Sequence, residues 1–289
     1  MSGPGELAVL TGVVLDAGLK ATPVLAATAA VARWTPGTSA AQRHAVWAVG
    51  LGALPLLAVG AASRGPAVAV DQPWLGGLWA VGALAVFVRL GLGLWRLRRL
   101  GRRGVSSPDH PGVVFVDGLD GPVTWGMWRP VVALPPDARS WSTEDRDAAV
   151  AHERAHVARH DWAVDLVSRG VAALFWFHPL VWVARRSLAD EAEGAADDRV
   201  LAAGVRPSTY AALLLRLATQ RPATLALGVG SRVGRRVRAV LRPRVDTRRR
   251  PVLLTALAAL TLVGLPALAV WPTWTAPPEA LTCDPGPLP

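Results

Sequence analysis

The chain has 289 residues, of which 52% are hydrophobic and only 18% charged, and it carries a formal net charge of +10 at pH 7. That is too apolar for an ordinary soluble domain with evenly spread charge, so the apolar residues must be bunched. One cysteine, Cys283, excludes a disulfide within the chain.

The bunching is that of membrane spans. Leu7 to Val31 carries only Asp16 and Lys20 as charges, His44 to Ala62 none after its first residue, Trp74 to Trp95 only Arg89, and Val252 to Trp271 none. Spans are therefore predicted at residues 7–31, 44–62, 74–95 and 252–271. Small residues at Ala29 to Ala32 would suit leader cleavage, but no basic residue precedes the first apolar stretch, so it is read as a retained span. Asp16 and Lys20, four apart on one helix face, are read as a structural pair in preference to a proton relay.

Lys20 is the sole lysine among 31 basic residues. Arg33 and Arg43 flank the first connection, Arg96, Arg98, Arg99, Arg102 and Arg103 follow the third span, and Arg248 to Arg250 abut the fourth. On the opposite side stands only Arg64. The positive-inside rule places the amino terminus outside, residues 96–250 in the cytosol and the carboxyl terminus outside. Residues 1–104 are thus read as three spans with a basic linker, and 105–230 as a cytosolic domain. Residues 231–250 become an Arg-rich juxtamembrane segment drawn to anionic lipid, and 251–289 a fourth span with a short outer tail. Nucleic-acid binding is disfavoured, because no aromatic residue is interleaved among the arginines of 232–250.

In the cytosolic part, Val113 to Val116 and Val131 to Leu134 are β-rich runs separated by turns at Gly118, Gly121 and Gly126, predicting a small sheet. An edge strand there would either hold an extended substrate or serve packing alone. Ser142, Thr143, Glu144 and Asp145 then form a helix start. On that helix residues 152–156 read His-Glu-Arg-Ala-His. Two imidazoles four apart lie on one face and can share a metal, while Glu153 can serve as the base towards an activated water. Arg159 and His160 suit the last turn, and Asp161 is read as the cap of the next helix, near Trp162.

The third ligand separates peptidase classes. Where one large class has glycine and a third histidine, this chain has Arg159 and Trp162, so that class is excluded. The other common solution is a glutamate on a later helix, with an aspartate four residues on that orients a ligand histidine. In ADEAEGAADD only Glu193 has such a partner, Asp197. The alternatives are a solvated acidic helix face, and His160 as ligand, although it is rotated off the face of His152. Tyr210, the only tyrosine, is a candidate transition-state stabiliser, with helix packing as its other reading. Residues 170–184, GVAALFWFHPLVWVA, could be read as a fifth span, but that would strand Glu193 across the bilayer from His152. A buried or interfacial hairpin is therefore expected, with the metal site close to the bilayer.

The segments PVTWGMWRPVVALP, HERAHVARHDW, FWFHPLVW and EGAADDRVL, in this order among the spans, resemble the BlaR/MecR-type family of membrane-embedded zinc metallopeptidases. These are transducers that trigger loss of a transcriptional repressor. The resemblance implies a mainly α chain in which a cytosolic α+β gluzincin-like zinc metallopeptidase domain is inserted between the third and fourth of four transmembrane helices. His152, His156 and Glu193 match the Zn2+ ligands and Glu153 the base. It also implies a cytosolic protein substrate, such as a winged-helix repressor, and self-cleavage. The family often has cysteine at the place of Ala196 and asparagine at that of His178. Its best-known members carry a penicillin-binding sensor where this sequence has only residues 272–289, so β-lactam sensing is not carried over. Competing readings are an HtpX-like membrane quality-control protease and a non-catalytic membrane receptor or scaffold. A scaffold would need zinc but not Glu153.

Overall fold

The structure, a computed structural model, describes residues 4–35, 37–64, 72–219 and 226–242. The expected fourth span, Arg248 to Arg250 and Cys283 lie outside the described residues. Three helices are long and apolar enough to cross a membrane: α1 (Pro4–Trp34), α2 (Ala40–Arg64) and α3 (Pro73–Gly101). Each runs past its expected span, because helical pairing continues beyond the apolar window into polar residues. In α1, Lys20 Nζ donates to the buried Asp16 carboxylate at 2.6 Å, the pairing expected of a charge held away from water. α3 is nearly bare, with Trp74, Leu78, Val81, Leu84, Val88 and Leu92 all exposed, as a lipid-facing helix would be.

The four-stranded sheet has the order β1-β2-β4-β3, with β1 Val105–Ser106, β2 Val113–Phe115, β3 Val123–Trp125 and β4 Val131–Leu134. The two runs legible in the sequence are the interior pair β2 and β4, which lie parallel. The edges are β1 and β3, and β3 occupies a stretch expected to be turn. Three residues between Pro122 and Gly126 are too few to show an alternating pattern, yet Val123, Thr124 and Trp125 are all strand formers.

Helices α4 (Thr143–Arg159), α5 (Asp161–Leu174), α6 (Pro179–Ala202), α7 (Pro207–Thr219) and α8 (Ala226–Leu241) complete the described fold. Residues 170–184 comprise the end of α5, the turn at 175–178 and the start of α6, so the chain doubles back and no fifth span forms there. Gly18 and Gly82 admit the rings of Phe177 and Trp176. Trp79 Nε1 donates to Leu174 O (2.8 Å), Trp176 Nε1 to Trp79 O (3.2 Å) and Trp182 Nε1 to Trp176 O (2.9 Å). Indole donors thereby pair the carbonyls of Leu174 and Trp176 at the end of α5 and tie that turn to α3, among the spans, where unpaired backbone would be costly.

Two cores result. Leu51 and Leu54 of α2 and Ala17, Ala21 and Val24 of α1 pack with Val171 and Phe175 of the hairpin and Val181, Ala184 and Leu188 of α6. The second core joins Val113, Phe115 and Leu134 of the sheet to Ala148 and Val150 of α4, Val200 of α6, Tyr210 and Leu213 of α7 and Val240 of α8. Helix α6 thus belongs to both, and Glu193 falls between its two apolar stretches.

Candidate active site

Helix α4 begins at Ser142, whose Oγ accepts the Asp145 N–H at 3.2 Å, as expected of an N-cap. Two to three turns on, His152 and His156 present their rings edge to face, with the two Nε2 atoms 3.2 Å apart. Glu193 meets them from α6: Oε2 is 3.4 Å from His152 Nε2 and Oε1 is 3.8 Å from His156 Nε2. Ligands 2.0–2.2 Å from a tetrahedral zinc stand about 3.3 Å from one another, so these donors fit one ion. The three residues offer ligand atoms that all lie within 4.8 Å of one another.

Each imidazole is held from behind. His152 Nδ1 lies 3.2 Å from Asp197 Oδ1 and 2.9 Å from the Tyr210 hydroxyl, which itself donates to Asp197 Oδ1 at 2.7 Å. His156 Nδ1 lies 2.7 Å from Asp161 Oδ2. A carboxylate at Nδ1 keeps the hydrogen on that nitrogen and leaves the Nε2 lone pair for a metal. Asp161 was expected as a side-chain cap. Instead His160 adopts the left-handed conformation (φ 57°) between α4 and α5, and the tight break swings Asp161 under His156. His160 is exposed and stands apart from the metal-capable cluster.

Arg236 on α8 closes the site. Its Nε and Nη2 donate to Asp197 Oδ2 (2.9 Å) and Oδ1 (2.7 Å), and its Nη1 lies 2.8 Å from Glu193 Oε2. It belongs to the Arg-rich run that the sequence assigned to lipid from residue 231 onward. In the structure α8 starts before that boundary and lies on α7 and α6, and Arg232 and Arg235 both pair with Asp190. The acidic run on α6 is largely paired: Asp190, Glu191, Glu193 and Asp197 each meet a partner. No local pattern marks Arg236. For Asp161, the only signal is its place after a helix-ending His160.

The charges are mutually adjusted. Burial would lower the pKa of His152, but Asp197 and Glu193 outweigh it and hold the imidazole up at about 9. Burial would raise Glu193 and Asp197; Arg236 and the imidazoles keep Glu193 well below the carboxylate range, and Arg236 with His152 keeps Asp197 at about 2. Burial and the Asp197 charge push the Tyr210 phenol far up, so it stays a donor. Glu153 is buried and, with His152, Glu193, Tyr210 and Arg236, lines a cavity of about 110 Å³. The edge strand β3 runs alongside, Thr124 Oγ1 reaching Glu153 O at 3.4 Å.

Residues 72–238, from the start of α3 into α8, match the family model described as BlaR1 peptidase M56. The chain belongs to the BlaR1 peptidase M56 family. Regulatory protein BlaR1 of Bacillus licheniformis is 30% identical over 83 residues, 29% of this chain and 14% of that protein, so the match spans a small part of the relative's length. M56 members are metallopeptidases, and the grouped His152, His156 and Glu193 are compatible with that chemistry.

Proposed function

We propose that the protein is a zinc-dependent membrane endopeptidase of signal transduction that cuts a cytosolic protein, a transcriptional repressor or its own chain. The carrying observation is the meeting of His152 Nε2, His156 Nε2 and Glu193 at the edge lengths of a tetrahedron, beside a cavity shared with Glu153. Two nitrogens and a carboxylate with one position open are a catalytic zinc set. Zinc there would supply a Lewis acid and a water of lowered pKa.

The chain's own groups do the rest. The Glu153 carboxylate takes a proton from the attacking water and delivers it to the departing amine nitrogen. Asp197 and Asp161 hold His152 and His156 by Nδ1. Tyr210 spends its proton on Asp197, which suits it to fixing that carboxylate and not to a substrate oxyanion. Among the described residues strand β3 pairs only with β4, and it offers its other edge to an extended substrate.

The peptidase part faces the cytosol in this reading, with the amino terminus outside and a fourth span following α8. Support comes from the basic turn between α1 and α2, which abuts the site through the Arg43–Glu191 pair, so the site shares the side of the basic residues. The test compares membrane and cytosolic proteomes of wild type and Glu153→Gln. One or a few stabilised proteins, this chain among them, are expected. Broad stabilisation of unfolded membrane proteins would favour a housekeeping protease, and identical proteomes would remove the peptidase reading.

A further inference from the structure

Two of the three proposed ligands are braced by a helix that the family match leaves out. Helix α2 lies before residue 72, yet its first turns stand against the site. Arg43 forks onto Glu191, two residues before the ligand Glu193, with Nε 2.9 Å from Oε1 and Nη2 2.8 Å from Oε2. Its Nη1 donates to Thr38 O at 2.7 Å, which ties the guanidinium to the turn between α1 and α2. On the other side of the ligand, a Cβ on Gly194 would lie 3.3 Å from Ala40 Cβ, so α2 fills the space beside that residue.

The second brace reaches His156. The carboxylate of Asp161 holds His156 Nδ1 by Oδ2, and its Oδ1 stands 3.8 Å from His44 Nε2 and 3.1 Å from Arg159 Nη2. His44 is buried and too far for a hydrogen bond, so it acts as a wall that keeps Asp161 turned to His156. Below these contacts, Leu51 and Leu54 share a core with Val181, Ala184 and Leu188, so α2 and α6 shift together or not at all.

We infer that Ala40, Arg43 and His44 are positioning residues for Glu193 and His156, which makes the α1–α2 transmembrane hairpin a working part of the metal centre and not only its anchor. This rests on the zinc reading of His152, His156 and Glu193 given above. A displacement of the hairpin within the bilayer is then felt as altered ligand geometry.

The test uses the full chain in nanodiscs and zinc alone, bound in competition with a chromophoric chelator. Arg43→Ala and His44→Ala are each expected to weaken zinc binding about threefold to tenfold, at or below the cost of losing a direct outer partner of a ligand, since each acts through one further carboxylate. Arg43→Lys recovers part of the loss, because an ammonium meets one carboxylate oxygen where the guanidinium meets two. Arg33→Ala removes an exposed charge from the same connection and leaves binding unchanged. Simple Coulomb effects have the opposite sign, since removing a cation strengthens binding of a dication.

A wild-type measurement guards against variants that fail to fold. By reciprocity, zinc must slow amide hydrogen exchange in residues 44–48 of α2. Unchanged affinity in the α2 variants, or exchange slowed at 152–156 but not at 44–48, overturns the inference alone, provided that His152→Ala abolishes zinc binding. Absence of zinc binding by the wild-type chain overturns both this inference and the proposed function.

Discussion

Arg236 Nη1 lies 2.8 Å from Glu193 Oε2, and among the described residues it is the only arginine or lysine paired with that carboxylate. A metal at the site would share the role of counter-cation. Arg236→Met should therefore destabilise the metal-free chain more than the zinc-loaded one. The loss without metal is expected to be about 3 kcal/mol, the low end of the ~3–5 of a buried broken pair, because Asp197 is 5% exposed and loses its fork while Glu193 keeps 41% of its side chain exposed. Thermal unfolding in chelator and in saturating zinc measures the difference, and equal shifts in both would contradict it.

Asp197 titrates at about 2 in the fold against an ordinary 3.8, with burial opposing and the bonds from Arg236 and His152 prevailing. A folded pKa below the unfolded one stabilises fully above about pH 4 and fades as pH falls through about 2. In Asp197→Asn that part of the acid dependence is gone. Tryptophan fluorescence of the metal-free chain between about pH 5 and pH 2 should show a shallower loss of stability in the variant. An identical slope would count against the Arg236–Asp197–His152 chain.

Tyr210→Phe separates two roles for the hydroxyl. If it only fixes Asp197 and His152, zinc binding weakens about tenfold and kcat stays within about tenfold of wild type. Loss of an oxyanion donor would instead lower kcat by about 10²–10³ with zinc retained. The bond to Asp197 favours the first outcome.

Gly82 tests the hairpin seated among the spans. A Cβ there would run into Trp176 Cε2, on a ring already tied to Trp79 O. Gly82→Ala should cost about 1–3 kcal/mol by overpacking. Gly77→Ala, with nothing within 4 Å of the new carbon, should be neutral or slightly stabilising. Melting curves of the two variants in one detergent decide it, and equal melting would remove the tight contact.

Much of the centre was legible because its signals are local. His152, Glu153 and His156 sit on one helical period, and Glu193 with Asp197 repeats that period within a single acidic run. Ser142 marked the start of α4, and the apolar windows marked α1 to α3. Residues whose partners are distant in sequence were illegible. Arg236 resembles its neighbours Arg235 and Arg238 in every local respect, and only the placement of α8 on α6 singles it out. Asp161 looked like a cap because caps and outer carboxylates share a residue type, and the left-handed His160 decides between them. Strand β3 was hidden by its brevity.

Because α6 carries Val181, Ala184 and Leu188 into one core and Val200 into the other, the segment from residue 105 onward is not a detachable enzyme. Severed from α1 and α2, it would present Phe175, Val181 and Leu188 to water and lose the fork on Glu191. Such a fragment is expected to aggregate on expression, and shedding from the membrane would end its activity, not set it free. Recombinant work on this protein therefore needs the membrane helices from the outset.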